Sequence, residues 1–207
     1  MKMLAEKKED LINCAVLCAE NNMVHGTSGN ISILCGDKIL ITRTGSNLGG
    51  LELEDIVTID LDGNLVEGDY KASSEKFLHT AIYKLRDDIK SIIHVHSPAL
   101  GAFALANKAL DKPYMPEIVF DFGEIPIAEY GCPSTQKLVD NTAPLFREHN
   151  AVLMANHGFI IGDRTIWEAY MKLEMAENYA QTLLNAQLLG GAKSLTVQQV
   201  EEINSLK

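Results

Sequence analysis

The sequence predicts a single α/β domain with three layers, in which a largely antiparallel central sheet is flanked by helices on both faces. The chain has 207 residues, of which 46% are hydrophobic, and this is enough to build one core. Short strand-like segments occur in pairs around tight turns, and segments with helical apolar spacing are mixed among them. Since no linker, low-complexity run or repeat divides the chain, we expect one domain over residues 1–207.

The first part of the chain indicates one helix followed by two hairpins. Apolar residues recur at helical spacing over residues 3–22. The strand sequences ISILC and KILIT flank Gly36-Asp37, and the strand sequences IVTID and LVEG flank a turn that contains Asp62-Gly63. Such glycine-containing turns are typical of antiparallel hairpins.

The remainder alternates helices and strands. A helix is expected over residues 73–88, because a serine at its start is a good N-cap. The further expected elements are a strand over 91–97, a helix over 99–109, an extended stretch over 117–130, a helix from Ser134 as cap to His149, a buried strand over 151–161, and a long helix that opens with a Thr165–Glu168 capping box and runs to Gly190-Gly191.

The bulk charge excludes several classes of partner. The formal net charge is −10, so neither nucleic acid nor an anionic membrane is expected as a partner. The start of the sequence lacks the apolar region of a signal peptide, and no stretch reaches the length of a membrane span. The four cysteines form no C-x-x-C pair. These features predict a reduced, cytoplasmic protein.

Three histidines predict a metal site. Because side chains alternate along a strand, His94 and His96 in SIIHVHS project from the same face, with Cα atoms about 6.6–7 Å apart. Two ordinary histidines that alternate by chance are the alternative. His157 favours the metal, since a histidine in an apolar strand is unfavourable unless it is paired or ligated, and Gly158 permits close backbone approach. Three imidazoles with an open position are typical of catalytic zinc.

Glu75 lies at the start of the helix that follows the second hairpin. It either caps the helix and interacts with the helix dipole as an ordinary first-turn acid, or acts as a carboxylate beside the metal and as a base. His79, on the same helix face, either helps to orient the site or is a packed or surface histidine.

Three polar segments favour a phosphate group as part of the ligand. They are Gly26-Thr27-Ser28-Gly29-Asn30, Thr42-Arg43-Thr44-Gly45 and Ser73-Ser74. Their hydroxyl and backbone N–H groups suit an anion without much positive charge, although ordinary turn chemistry is the alternative. Arg43 either adds a charge or points to solvent.

The motifs GTSGNIS, ITRTG, SSE, HVH and NHG, in this order, resemble those of the class II aldolase/adducin family over about residues 5–190, with its L-fuculose-1-phosphate aldolase branch as the best match. The resemblance implies an α/β/α domain and a homotetramer with sites at subunit interfaces. It also implies one Zn²⁺ per subunit, or Mn²⁺ or Co²⁺, held by His94, His96 and His157, with Glu75 as fourth ligand and acid/base. The implied phosphate-binding positions are Gly29, Asn30, Thr44, Gly45, Ser73 and Ser74.

The implied activity is aldol cleavage of a phosphorylated ketose, such as L-fuculose 1-phosphate, to dihydroxyacetone phosphate and an aldehyde through a metal-bound enediolate. The alternatives are a methylthioribulose-1-phosphate-type dehydratase, a ribulose-5-phosphate 4-epimerase, and a non-catalytic module like the adducin head. The epimerases carry a lysine in the second loop and an aspartate in place of Glu75, so TRTG and glutamate favour the aldolase. Aldolases of this family use tyrosines from a neighbouring subunit and from the C-terminal tail to bind the aldehyde half of the substrate. In the segment KPYMPEIVFDF, Tyr114, Met115 or Glu117 could occupy the first of these positions, and the segment QQVEEINSLK has no tyrosine for the second.

Overall fold

A computed structural model describes residues 2–206 and shows an α/β domain built on one eight-stranded sheet. The terminal residues Met1 and Lys207 of the predicted domain lie outside the described range. The helices are α1 (Lys2–Glu20), α2 (Lys76–Leu85), α3 (Pro98–Leu105), α4 (Pro116–Asp121), α5 (Gln136–Thr142), α6 (Ile166–Leu188) and α7 (Val197–Asn204), with short 3-10 helices at Leu48–Gly50, Leu53–Asp55 and Ala143–Arg147. The strands are β1 (Asn30–Cys35), β2 (Lys38–Thr42), β3 (Ile56–Asp60), β4 (Leu65–Glu67), β5 (Ser91–Val95), β6 (Ile127–Ala128), β7 (Ala151–Met154) and β8 (Gly158–Asp163).

The strands lie in the order β4-β3-β2-β1-β5-β8-β7-β6. Every neighbouring pair is antiparallel except β6 and β7, which are parallel. The two predicted hairpins, β1–β2 and β3–β4, are both present. The predicted sheet, largely antiparallel, is therefore confirmed. Strand β5 occupies the middle of the sheet, between β1 and β8.

Helices cover both faces of the sheet, as predicted. One core contains α1, α3 and α6 against residues such as Ile31 and Val95, and the other contains α2 and α5 against residues such as Ile92 and Ile160. Successive residues of one strand enter opposite cores because side chains alternate across a sheet. The α2 face therefore receives His94, whose neighbour Val95 is fully buried on the other face.

The expectation of a single strand over residues 151–161 was wrong. The segment is a hairpin in which β7 ends at Met154 and β8 begins at Gly158, with a tight turn between them. Asn156 in this turn has a left-handed backbone, with φ of 56°, which asparagine adopts more readily than most residues. The turn therefore places His157 at one end of the sheet rather than inside a strand.

Other element predictions were also wrong in detail. The expected extended stretch over 117–130 contains α4, which begins at Pro116 because proline suits the first helical position. Ser134 has a φ of 65°, so Thr135 instead caps α5 by accepting from the N–H of Leu138. The helix expected to end at His149 stops at Thr142 and continues as a 3-10 helix. The helix expected over 99–109 ends at Leu105.

Within residues 2–206, the structure contains no helix with both the length and the apolar character needed to cross a bilayer. All four cysteines are free thiols, and Cys14 and Cys18 are buried in α1. The expected cap of α6 is present, since the Thr165 hydroxyl accepts from the backbone N–H of Glu168.

Candidate active site

Strand β5 and the β7–β8 turn bring three histidines together. Ring centroids lie 4.8 Å apart for His94 and His96, 4.8 Å for His94 and His157, and 5.1 Å for His96 and His157. One ligand nitrogen from each ring falls within 4.8 Å of the others. The three histidines that the sequence placed at a metal site therefore form one cluster, and they converge from two different segments of the sheet.

Gly158 allows the β7–β8 turn to approach β5 this closely. A Cβ at Gly158 would stand 2.5 Å from the Val95 carbonyl oxygen and 2.8 Å from a ring carbon of His96, and contacts this short are sterically forbidden.

Phe159, the residue after Gly158, fixes the tautomer of His94. The carbonyl oxygen of Phe159 lies 2.9 Å from His94 Nδ1, and because a carbonyl only accepts, Nδ1 carries the hydrogen. His94 Nε2 then has a free lone pair that faces the cluster.

Glu75 completes the cluster from α2, at the N-cap position of this helix. Its Oε2 lies 3.3 Å from His94 Nε2, and its Oε1 lies 3.4 Å from His157 Nε2. Glu75 does not accept a capping hydrogen bond from its own helix, so the interpretation as an ordinary capping acid does not account for its position. The carboxylate is directed into the histidine cluster.

The protonation states follow from burial. Burial lowers the pKa of His94 and His96 below the ordinary histidine value and lowers the pKa of His157 to about 4. Burial alone would raise the pKa of Glu75, but the neighbouring imidazoles of His94 and His157 lower it below its ordinary value. At neutral pH the site therefore presents neutral imidazoles beside an ionised carboxylate.

This donor set fits a divalent metal ion. His94 Nε2 lies 3.0 Å from His96 Nε2, and neutral imidazole nitrogens directed at one point are the preferred ligands of zinc and related ions. Two atoms of the cluster, Glu75 Oε1 and His157 Nδ1, are buried without a hydrogen-bond partner among residues 2–206. Buried polar atoms normally have partners, so Glu75 Oε1, which faces the imidazoles, marks a place where a ligand belongs.

The three polar segments meet in a cavity of about 160 Å³ beside the cluster. The cavity is lined by Thr27, Ser28, Gly29, Asn30, Arg43, Thr44, Gly45, Ser73, Ser74, Glu75, His94 and His96. Two of the loops turn at Gly29 and Gly45, whose φ values are +79° and +72°. At Gly29 a Cβ would lie 2.7 Å from the carbonyl oxygen of His94. Glycine is therefore required where this loop packs against β5.

Two polar residues of the cavity are already engaged by protein partners. Asn30 Nδ2 donates to Glu75 Oε2 at 3.0 Å, and Asn30 Oδ1 lies 2.6 Å from His79 Nε2. Arg43 is paired with Asp55 and lies over the ring of Tyr70. The side chain of Asn30 is therefore engaged by Glu75 and His79, and the positive charge of Arg43 is largely balanced by Asp55.

Glu177 of α6 holds the segment that follows His96, a role that the sequence analysis does not predict. Its carboxylate accepts from the Ser97 hydroxyl at 2.7 Å, from the backbone N–H of Ala99 at 2.8 Å and from that of Leu100 at 2.9 Å. These N–H groups belong to the first turn of α3, which lacks intrahelical acceptors for them. Glu177 thereby fixes the end of β5 against α6.

The chain belongs to a known family. The family described as "Class II Aldolase and Adducin N-terminal domain" matches residues 9–184, so the family that the motifs predicted is confirmed.

Individual relatives differ in activity. The chain is 38% identical to an L-fuculose phosphate aldolase of Methanocaldococcus jannaschii over 87% of this chain and 97% of that protein. It is 32% identical to a 3-oxo-tetronate 4-phosphate decarboxylase of Pectobacterium atrosepticum over 86% of this chain and 84% of that protein. A solved structure of an L-fuculose 1-phosphate aldolase superposes with a TM-score of 0.90 at 30% identity, over 96% of this chain and 94% of that chain. These relatives support an enzyme.

We expect Glu177→Ala to lower the free energy of unfolding by about 1–3 kcal/mol, because the substitution removes the acceptor of three hydrogen bonds at the start of α3. Urea denaturation measures the effect. The control is Glu201→Ala, which changes an exposed glutamate of α7. This control should change stability by less than about 0.5 kcal/mol. Equal effects of the two substitutions would contradict the role assigned to Glu177.

Proposed function

We propose that the protein is a metal-dependent aldolase that cleaves a ketose 1-phosphate, of the L-fuculose 1-phosphate type, to dihydroxyacetone phosphate and an aldehyde. The observation that carries the proposal is the position of Glu75. Its unpartnered Oε1 faces the histidine cluster at one wall of a cavity whose other walls are hydroxyl and glycine loops. A base, a metal-ligand set and an anion-binding surface therefore adjoin one small space.

The loop end of the cavity suits the phosphate. Thr44, Ser73 and Ser74 contribute hydroxyl groups there, and Ser73-Ser74 directly precede the N-terminus of α2. The partial positive charge at a helix N-terminus favours an anion. This arrangement explains how a protein with a net charge of −10 can bind a phosphate ester without a basic patch.

Glu75 would hold and move the proton at C3 of the substrate. As an ionised carboxylate in a buried position it has the free acceptor that a base requires. In the direction of cleavage, the ionised Glu75 would take up the proton that the C4 hydroxyl releases, the C3–C4 bond would break, C4 would leave as the aldehyde, and C3 would retain the electron pair. Protonation of C3 by the acid form of Glu75 then yields dihydroxyacetone phosphate.

A divalent ion held by His94, His96 and His157 would supply Lewis-acid stabilisation of the negative charge that develops on the substrate. Imidazole ligands accept zinc, manganese or cobalt. The chain keeps these rings neutral through burial and fixes the tautomer of His94 through Phe159. The complete ligand set also argues against a non-catalytic module such as the adducin head.

Decarboxylation is the second candidate, because one relative is a 3-oxo-tetronate 4-phosphate decarboxylase. Loss of CO₂ from that 3-oxo acid leaves the same three-carbon unit as aldol cleavage, so both reactions need the same charge stabilisation. The acid, however, brings a second anion. Arg43 is the only lysine or arginine among the described residues that line the cavity, and it is paired with Asp55. A ketose 1-phosphate, whose carbon chain carries no charge beyond the phosphate, therefore fits the cavity better than this acid.

The proposal includes the oligomeric state and the cellular location of the protein. We infer a homotetramer with sites at subunit interfaces, in the cytoplasm. Three apolar side chains near the C-terminus are exposed, namely Leu188 at 86%, Leu189 at 90% and Val197 at 77%, and a second copy of the chain would cover such a surface. The four free thiols agree with a reducing compartment.

A substrate panel tests the proposed reaction. Ketose 1-phosphates, a ketose 5-phosphate and 3-oxo-tetronate 4-phosphate are assayed for release of dihydroxyacetone phosphate, aldehyde and CO₂, with and without a chelator. We expect release of dihydroxyacetone phosphate and aldehyde from a ketose 1-phosphate and loss of this activity with the chelator. Release of CO₂ alone would establish the decarboxylase. Epimerised or dehydrated products without cleavage would establish one of the other two reactions.

The substitution Glu75→Gln tests the base. We expect it to slow exchange of the hydroxymethyl hydrogen of dihydroxyacetone phosphate with solvent by about 10²–10⁴-fold, which is the usual contribution of a general base. Deuterium incorporation followed by NMR measures the rate, and metal analysis verifies that the variant still binds the ion. Glu67→Gln, on the exposed strand β4, is the control and should exchange at the rate of the unmodified protein. Unchanged exchange in Glu75→Gln would rule out this base.

A further inference from the structure

A continuous chain of hydrogen bonds leads from Glu75 into the protein between α2 and β1. Asn30 Nδ2 lies 3.0 Å from Glu75 Oε2, and Asn30 Oδ1 lies 2.6 Å from His79 Nε2. On the other side of the imidazole, His79 Nδ1 lies 2.7 Å from Ser32 Oγ, which in turn lies 2.7 Å from the hydroxyl of Tyr83. All five residues are buried, and His79 is fully inaccessible.

The chemistry of these groups fixes the direction of the hydrogen bonds. The carboxylate of Glu75 can only accept, so Asn30 must present its NH₂ group to Glu75 and its oxygen to His79. Because that amide oxygen also only accepts, the hydrogen of the neutral imidazole is on Nε2. His79 Nδ1 is then an acceptor, and it receives the hydroxyl hydrogen of Ser32.

The imidazole stays neutral in this position. Burial lowers the pKa of His79 to about 3, so it carries no charge at neutral pH and acts as a fixed donor–acceptor pair. Tyr83 closes the inner end: because the hydroxyl hydrogen of Ser32 goes to His79, the hydroxyl of Tyr83 donates to Ser32 Oγ at 2.7 Å. The chain therefore has a single orientation that begins at Glu75.

We propose that His79 is a positioning residue for Glu75, acting through the amide of Asn30. The Nε2–H group of His79 prevents the Asn30 amide from rotating, and the amide in turn holds Glu75 Oε2. The other oxygen, Oε1, is thereby kept without a partner and directed into the cluster. This inference rests on the proposed function, in which Glu75 moves the substrate proton.

The orientation also gives the side chain of Asn30 a specific task. A rotated amide would turn its oxygen toward the Glu75 carboxylate, and two acceptors at 3.0 Å repel each other. Without the hydrogen of His79, the amide loses the partner that disfavours this rotation. The carboxylate would then be less well held, which affects the proton step more than it affects binding of the phosphate.

The tautomer of His79 is the first measurement. In the ¹⁵N-labelled full-length protein, the protonated and unprotonated nitrogens of a neutral imidazole have well-separated chemical shifts. We expect the hydrogen on Nε2, with no change to the cationic form across neutral pH. A hydrogen on Nδ1, or a cationic ring at neutral pH, would overturn the proposal. This measurement does not depend on any substrate.

The second measurement separates positioning from packing. In the zinc-loaded protein we expect His79→Leu to lower kcat, and the hydrogen exchange of dihydroxyacetone phosphate, by about 10–100-fold, as for other outer partners of a metal site. KM should change little. His79→Gln, which retains an N–H donor toward Asn30, should recover most of kcat. Ile82→Val, buried on the same helix, is the packing control and should keep the kcat of the unmodified protein.

A folded His79→Leu variant with unchanged kcat would show that His79 only fills space, as would equal losses in His79→Leu and His79→Gln. If the unmodified protein releases no dihydroxyacetone phosphate from any ketose 1-phosphate, the proposed aldolase activity fails. In that case the tautomer of His79 and the exchange rates of dihydroxyacetone phosphate still decide separately whether His79 positions Glu75.

Discussion

The site depends on a buried carboxylate held against three neutral imidazoles. Glu75 lies within 3.4 Å of nitrogens of two of them, and such an arrangement is unfavourable unless every remaining polar atom has a partner or a ligand. The surrounding structure provides these partners through the Phe159 carbonyl and the amide of Asn30. Gly29 and Gly158 leave the space in which the neighbouring loops approach β5 and the end of this strand.

Much of the fold followed from local pattern. The segment SIIHVHS was recognised as a strand, the alternation of side chains along a strand predicted that His94 and His96 share one face, and glycine turns identified both early hairpins. The hairpin of β7 and β8 was missed because the apolar residues on both sides of Asn156-His157-Gly158 were interpreted as one strand. Its turn depends on the left-handed backbone of Asn156. The short helix α4 was missed because six residues are too few to show a helical period.

The outer parts of the site were less accessible from sequence. His79 falls one helical turn after Glu75, but nothing local shows that it contacts Asn30 of β1. Glu177 contacts Ser97 although 80 residues separate them, and one glutamate in a long helix resembles any other. That two histidines share a face can be predicted from their spacing, whereas contacts between distant segments depend on the packing of whole layers.

The most direct test of the account is the metal content of the purified protein and of His96→Ala, measured by elemental analysis after dialysis. The three-histidine site predicts about one divalent ion per chain in the unmodified protein, the stoichiometry of an open three-ligand site. It predicts much less than one in the variant, with the fold retained by circular dichroism. A metal-free protein that still cleaves a ketose 1-phosphate, or a His96→Ala variant with a full equivalent of metal, would contradict the account.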